Sequence, residues 1–443
     1  MTEKLAPGLV IAAPASGSGK TVVTLSLLRA LKNTGVNVAS FKIGPDYIDP
    51  AYHTAASDDL CRNLDFWGMR KNTVHRQWVT TVEQSEFVIT EGVMGLFDGA
   101  TTGSLINNGS TADAAKWLNW PIILVVDAKS QGASAAALVE GFVRHRSDIT
   151  IVGVIFNRIG SPSHEKILRE ALETTGLPCL GCIPRHSALD LPSRHLGLIQ
   201  AKELPELDNW LEGAAKIVAE HIDLNLLKTL GATSKITPPP GGQPTIQPLG
   251  KHTAIARDDA FAFCYPHIVE GWQRAGSKIS FFSPLNGEVP DELADSIYLP
   301  GGYPELYAEK IAANQNFREA MRMAVAKEAV VYGECGGFMV LGETLTDRDG
   351  ASHDMLGLLP VKTSFAKPKL HLGYRQFSLI GDGALGSAGA RFKGHEFHYC
   401  EIISADVAES LFHAEDALGE KLPEMGCKVG NVMGSFGHII DSV

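Results

Sequence analysis

Ala13-Pro14-Ala15-Ser16-Gly17-Ser18-Gly19-Lys20-Thr21, which follows the apolar run Leu9-Val10-Ile11-Ala12, is the stretch whose reading decides the fold. It reads as a buried strand that opens onto a glycine-bearing turn and then starts a helix whose apolar positions are Val22, Val23, Leu25, Leu27, Leu28 and Leu31. Strand, turn and helix in that order are the context a phosphate-binding loop requires. Gly17 and Gly19 let the backbone from Ser16 to Thr21 turn its N–H groups, those of Ser18 included, toward an oxyanion, and the helix N-terminus adds partial positive charge. Lys20 then reaches the β- and γ-phosphates of a nucleotide such as ATP, and the Thr21 hydroxyl ligates Mg²⁺. The usual spacing, G-x-x-x-x-G-K-[ST], places its first glycine where this chain has Pro14, so the loop is a variant form or the match is accidental, and the strand-turn-helix context argues against accident.

The bulk numbers bound what surrounds this loop. A chain of 443 residues exceeds one ordinary core and implies two domains or more. Its net charge of −11 argues against nucleic acid as the main partner. The most apolar run, Trp120 to Val126, is far shorter than the ~20 residues a bilayer crossing needs. The N-terminus lacks an apolar signal-peptide core, and seven scattered cysteines fit reduced thiols, so a cytoplasmic protein is expected. Cys179 and Cys182 form a lone C-x-x-C with no second ligand pair, which reads as two small thiols beside a strand.

Up to about residue 230 strands and helices alternate, the pattern of a parallel sheet covered by helices. Strands are expected at Leu9–Ala13, Val36–Phe41, Phe87–Thr90, Ile122–Val126, Ile151–Phe156 and Leu180–Ile183, with helices such as Thr111–Leu118, Ser134–Arg144 and Pro162–Thr174. Function should gather at the carboxyl ends of these strands. Two loops there are acidic. In Lys42-Ile43-Gly44-Pro45-Asp46-Tyr47-Ile48-Asp49-Pro50, glycine and prolines are expected to stop a helix and hold two carboxylates and a lysine in a loop. Glu91-Gly92-Val93-Met94-Gly95-Leu96-Phe97-Asp98-Gly99 is a second. An acid at a strand end beside a phosphate loop is where Mg²⁺ needs a ligand; Glu91 is the first choice and Asp46 the second, beside Thr21. Asn157, at the end of another strand, reads either as an adenine contact or as a turn cap.

Composition shifts at Thr237-Pro238-Pro239-Pro240-Gly241-Gly242-Gln243-Pro244, which reads as a linker. The division expected is residues 1–230, a Pro/Gly-rich linker over 231–251, and a second α/β domain over 252–443. There, Ile297-Tyr298-Leu299-Pro300-Gly301-Gly302 runs a strand into a double-glycine turn suited to presenting N–H groups to an oxyanion. Val330-Val331-Tyr332-Gly333-Glu334-Cys335-Gly336-Gly337 is a strand, a sharp G-x-C-x-G turn and a helix start, a nucleophile elbow with cysteine in place of serine. At a helix N-terminus its thiolate is expected to be favoured. The base is to be sought among His353, His371, His395, His398, His413 and His438, of which His438, with Asp441 three positions on as an orienting acid, is the favoured one. His395 and His398, three apart on a strand, do not spell a metal motif and read as hydrogen-bonded strand histidines.

Taken together, A-P-A-S-G-S-G-K-T, K-I-G-P-D-Y-I-D-P, E-G-V-M-G-L-F-D-G, L-P-G-G-Y-P-E, G-E-C-G-G-F-M and G-S-F-G-H-I-I-D, in that order, give a chain that resembles the cobyrinic acid a,c-diamide synthase family over essentially its whole length. Within the family it looks most like the aerobic-pathway branch, whose substrate is hydrogenobyrinate. The resemblance implies a dethiobiotin-synthetase-like ATP-dependent amidoligase domain joined to a class I glutamine amidotransferase-like domain. It implies Cys335 as nucleophile and His438 as its base. Such glutaminases usually carry H-x-E, where this chain has His438-Ile439-Ile440-Asp441, so Asp441 completes a triad or the site works as a Cys/His dyad. The implied reaction is amidation of the a and c acetate carboxylates of hydrogenobyrinate through an acyl phosphate, in cobalamin biosynthesis. The alternative is the same reaction on cobyrinate, or a related enzyme such as cobyric acid synthase. Asp46, Tyr47, Ile48, Asp49 and Asp98 fall to the corrinoid and Gly301 and Gly302 to the glutaminase oxyanion by family position, and a homodimer is one assembly open to it.

Overall fold

The structure, a computed structural model, describes residues 5–104, 106–194, 197–238, 246–405 and 409–443. Two compact units divide the chain, Met1–Trp67 with Val74–Pro240, and Gly68–Thr73 with Gly241–Val443. The short segment Gly68–Thr73 thus belongs to the second unit although it lies early in the sequence. The expected linker begins too early: Ala232 still exchanges two backbone hydrogen bonds with Gly8, at 2.9 and 3.0 Å, and Ser234 is buried. Part of the linker expectation, residues 239–245, lies outside the described residues.

The first unit is built on seven parallel strands, β1 (Gly8–Ala12), β2 (Val38–Ile43), β3 (Arg62–Leu64), β4 (Phe87–Glu91), β5 (Ile122–Asp127), β6 (Ile151–Ile159) and β7 (Cys179–Pro184), in the order β3-β2-β4-β1-β5-β6-β7. β1 and β4 are buried along their whole length, as a sheet covered on both faces demands. β1 sits in the middle with β4 on one side and β5 on the other, so the loop that leaves its carboxyl end opens where the winding of the sheet changes direction. Two boundaries differ from the sequence reading. β2 runs on through Ile43, so Lys42 is a strand residue. Asp49 and Pro50 do not end in a loop but begin helix α2 (Asp49–Ser57), since proline in a first helical turn forgoes an N–H that has no partner there anyway.

The second unit carries a ten-stranded sheet. In chain order its strands are β8 (His252–Ala256), β9 (Lys278–Phe282), β10 (Ser296–Leu299), β11 (Val330–Glu334), β12 (His371–Leu379), β13 (Arg391–His398), β14 (Glu409–Asp416), β15 (Met425–Val429), β16 (Val432–Ser435) and β17 (His438–Ser442). Their spatial order is β9-β8-β10-β11-β16-β15-β14-β12-β13-β17. From β9 to β16 the pairing is parallel, and from β16 on it is antiparallel. Only Phe436 and Gly437 separate β16 from β17, yet these strands lie five places apart in the sheet. Two residues span under about 10 Å, so the antiparallel half curls back and sets edge strand β17 over the end of β11. That curl carries His438 to the end of the strand that delivers Cys335.

Candidate active sites

In the first unit the loop after β1 has the conformation its glycines allow: Gly17 and Gly19 have φ of 79° and 90°, and Gly19 leads into helix α1 (Lys20–Asn33). The loop is braced from outside. Asn157 Nδ2 donates to the Ser18 carbonyl at 2.9 Å, Arg158 donates to the Gly17 carbonyl at 2.8 Å, and the Ser18 hydroxyl donates to the Ala15 carbonyl at 2.8 Å. Asn157 therefore spends its amide on the loop, while its Oδ1 accepts from the Arg158 N–H at 2.9 Å. This contact with the loop is a third role beside the two readings of this residue. Beside it lies a cleft of about 560 Å³ lined by Gly19, Val22, Asn157, Arg158, Arg185 and Asp190 among others, within the ordinary range for a small-molecule site.

Lys20 is buried and rests on the Met94 carbonyl at 2.5 Å, so the lysine reaches from the first loop to the glycine-rich turn after β4. Burial lowers its pKa, with Lys42 pressing the same way and Glu91 opposing. Thr21 donates to Glu91 Oε1 at 2.6 Å. A hydroxyl oxygen and a carboxylate oxygen brought together at a strand end are a hard-donor pair that fits Mg²⁺, which takes its remaining ligands from phosphate and water. Asp46 Oδ1 accepts the N–H groups of Ile48 and Asp49 at 2.7 and 2.9 Å, shaping the turn into α2. Asp49 is the acid that joins the cluster, through Lys42, which also donates to Glu91 at 2.7 Å. Burial works to lower the Lys42 pKa, but Asp49 and Glu91 outweigh it and hold the ammonium charged far above its usual range. Burial and Asp46 push Asp49 up to about 6.

His53, on α2 and fully buried, completes the set with Nε2 at 2.7 Å from Glu91 Oε2. The sequence reading missed it; its signal was a histidine four residues after Asp49, one helical turn on. Of the residues given to the corrinoid, Ile48 is buried, Asp49 is paired with Lys42, and Asp98 is exposed with one oxygen accepting the Gly95 N–H at 3.0 Å. Tyr47 is half-buried.

In the second unit Cys335 sits at φ 47° and ψ −103°, a strained conformation for a non-glycine residue and the mark of a nucleophile elbow. Gly337 makes the turn possible: a Cβ there would lie 1.9 Å from the Leu299 carbonyl oxygen. Gly301 stands between the two expected partners, because a Cβ on it would lie 2.5 Å from His438 Cε1 and 3.3 Å from Cys335 Cβ. The Gly302 nitrogen is 3.0 Å from where a Cβ on Gly336 would stand, so the double-glycine turn runs beside the residue after the nucleophile. The ring of His438 is stacked on His395, with centroids 4.9 Å apart and planes 13° apart.

The expected thiolate is not what this setting favours. Burial pushes the Cys335 thiol well up, with Glu305 adding to it, and a six-residue helix does not compensate. Burial together with His395 and His398 pushes the His438 imidazole well down. Both members of the pair are thus held in their neutral forms. Asp441 is paired elsewhere. Its oxygens accept the Arg70 N–H at 2.9 Å, the Thr73 hydroxyl at 2.6 Å and the Arg70 guanidinium at 3.0 Å, all from the segment Gly68–Thr73. Glu334 Oε2 lies 3.9 Å from His438 Nδ1. Glu396, His398 and His371 also converge, their ligating atoms within 4.8 Å of one another. Arg375 and His398 satisfy both oxygens of that carboxylate at 2.8 Å, which makes it an ion-pair network.

A nucleotide-type loop in one unit and a cysteine elbow with its histidine in the other define a class, the amidotransferases that join a nucleotide-binding domain to a glutamine amidotransferase domain. Residues 9–199 match the CobQ/CobB/MinD/ParA nucleotide binding domain family and residues 252–442 the CobB/CobQ-like glutamine amidotransferase domain family. The chain belongs to the hydrogenobyrinate a,c-diamide synthase family. It is 52% identical over 435 residues to the protein of that name from Brucella abortus, covering 98% of each chain. Those from Rhizobium meliloti and Rhodobacter capsulatus are 48% and 46% identical, with 98% of this chain covered in both cases and 99% and 98% of theirs.

Proposed function

We propose that the protein is a glutamine-hydrolysing, ATP-dependent carbon–nitrogen ligase that converts the a and c acetate carboxylates of hydrogenobyrinate to amides in cobalamin biosynthesis. The observation that carries this is the pairing, in one chain, of Lys20 and Thr21 beside Glu91 with Cys335 beside His438. An acetate carboxylate oxygen attacks the γ-phosphorus of ATP, ADP leaves, and an acyl phosphate remains. Lys20 leaves the Met94 carbonyl for the transferring phosphoryl group, whose charge it offsets. Thr21 and Glu91 are the residues that would hold Mg²⁺, which when bound offsets phosphate charge.

In the glutaminase, Cys335 Sγ attacks the side-chain amide carbon of glutamine while His438 takes the thiol proton and passes it to the departing nitrogen. Ammonia leaves, and water hydrolyses the thioester to glutamate. The N–H groups of Gly302 and Gly336 are the proposed oxyanion donors. Ammonia displaces phosphate from the acyl phosphate, and the cycle repeats on the second carboxylate. Free cysteines throughout the described residues suit a reducing, cytoplasmic setting. The deciding experiment incubates the protein with ATP, glutamine and either hydrogenobyrinate or cobyrinate and counts amides by mass spectrometry. Two amides on hydrogenobyrinate are expected; two on cobyrinate alone would shift the substrate, and none on either would remove the reading.

A further inference from the structure

The glutaminase site lacks an acid two positions after its histidine: Ile440 stands there, fully buried, its carbonyl accepting from His267 at 2.9 Å. Asp441 is held by Arg70 and Thr73. We infer that Glu334, the residue immediately before the nucleophile, is the positioning residue that orients His438 and stabilises its protonated form. This rests on the assignment of Cys335 and His438 as nucleophile and base.

Glu334 is 2% exposed, and its oxygens are fixed by three donors from three places in the fold. Oε1 accepts the Tyr332 hydroxyl at 2.9 Å and the Ile439 N–H at 3.0 Å, and Oε2 accepts the Tyr298 hydroxyl at 2.7 Å. The Ile439 bond ties the backbone next to the base to the side chain next to the nucleophile, so one carboxylate holds β11 and β17 in register at the reacting atoms. Oε2 then lies 3.9 Å from His438 Nδ1, beyond hydrogen-bond length but within ion-pair range. When Cys335 gives up its proton, a cation forms in a buried site where His395 and His398 both disfavour it. Glu334 places a carboxylate within 4 Å of that imidazole. The other titratable groups facing Glu334 are Tyr298, Tyr332, Cys264 and Cys335, all neutral at working pH because burial pushes each of them up. Burial also raises Glu334 itself, to about 7, against the pull of its three hydrogen bonds. Glutamine hydrolysis should therefore rise with pH as this carboxylate ionises.

The test is the pH profile of kcat/KM for glutamate release by the full chain and its variants. E334Q is expected to lose on the order of 10- to 100-fold and to lose the acid limb near pH 7. E334D, which keeps the charge one methylene further back, should keep the limb at reduced rate. If E334Q is inactive because it does not fold, shown by loss of a cooperative melt, Y298F carries the test. Removing a donor to the ionised form raises the Glu334 pKa, so the limb should move to higher pH. Wild-type rate in E334Q overturns the inference, as does a lowered rate with the limb in place, or an unmoved limb in Y298F. C335A must abolish hydrolysis; if it does not, the assignment beneath the inference falls with it, a failure distinct from any result at Glu334.

Discussion

Gly301→Ala isolates one geometric claim, that Cys335 and His438 flank this glycine. Gly301 does not have a positive φ, so alanine meets no backbone penalty and the effect is steric. The new Cβ would sit 2.5 Å from His438 Cε1, roughly 1 Å short of ordinary carbon–carbon contact at ~3.5 Å. The imidazole has nowhere to retreat, being 1% exposed and stacked on His395. A displacement of about 1 Å at a reacting group costs on the order of 100-fold, or about 2.7 kcal/mol of barrier. The assay measures kcat for glutamate release beside corrinoid amidation with ammonium as the nitrogen source. Glutamine hydrolysis should fall about that much while ammonium-driven amidation persists. Hydrolysis within threefold of wild type would refute the placement, and loss of both activities would show that the substitution reaches beyond the glutaminase.

Lys20→Ala should lower ATP-driven amidation by roughly 100- to 1000-fold with either nitrogen source, since a positioned charge opposite the phosphoryl group is lost; phosphate release in the presence of corrinoid checks it. Lys42→Ala leaves Glu91 and Asp49 buried without their shared cation, so urea unfolding should show a loss of about 3–5 kcal/mol. His395 is held down to about 3, chiefly by burial, and titrates near its ordinary ~6.5 when unfolded. Between those values the unfolded chain binds a proton that the native chain does not, so stability is fully present above about pH 6.5 and falls with pH below it. His395→Gln should flatten that fall by up to about 1.4 kcal/mol per pH unit, read from unfolding midpoints between pH 4 and 7.

The sequence by itself determined what local pattern can carry. Short uninterrupted apolar runs rich in β-branched residues, such as Ile122–Val126, have no solvent face and read as strands of a sheet covered on both sides, and Gly17 and Gly19 were legible because turn and phosphate approach both need backbone without Cβ. Cys335 was legible for the same reason, its glycine neighbours announcing the elbow. What the tertiary structure alone decided is which charge answers which. Asp46 and Asp49 look interchangeable in the loop, but Lys42 donates to Asp49 while Asp46 accepts the N–H groups of the turn, because a proline-started helix turns Asp49 inward. Asp441 follows His438 by three residues, yet its carboxylate is claimed by Arg70 and Thr73, some 370 positions earlier. Glu334 precedes a nucleophile on the strand it ends, and nothing local says that β17 will curl back to lay His438 and Ile439 against it. Spacing along the chain fixes backbone conformation, whereas electrostatic partnership depends on separation in space, and only the folded sheet sets that distance.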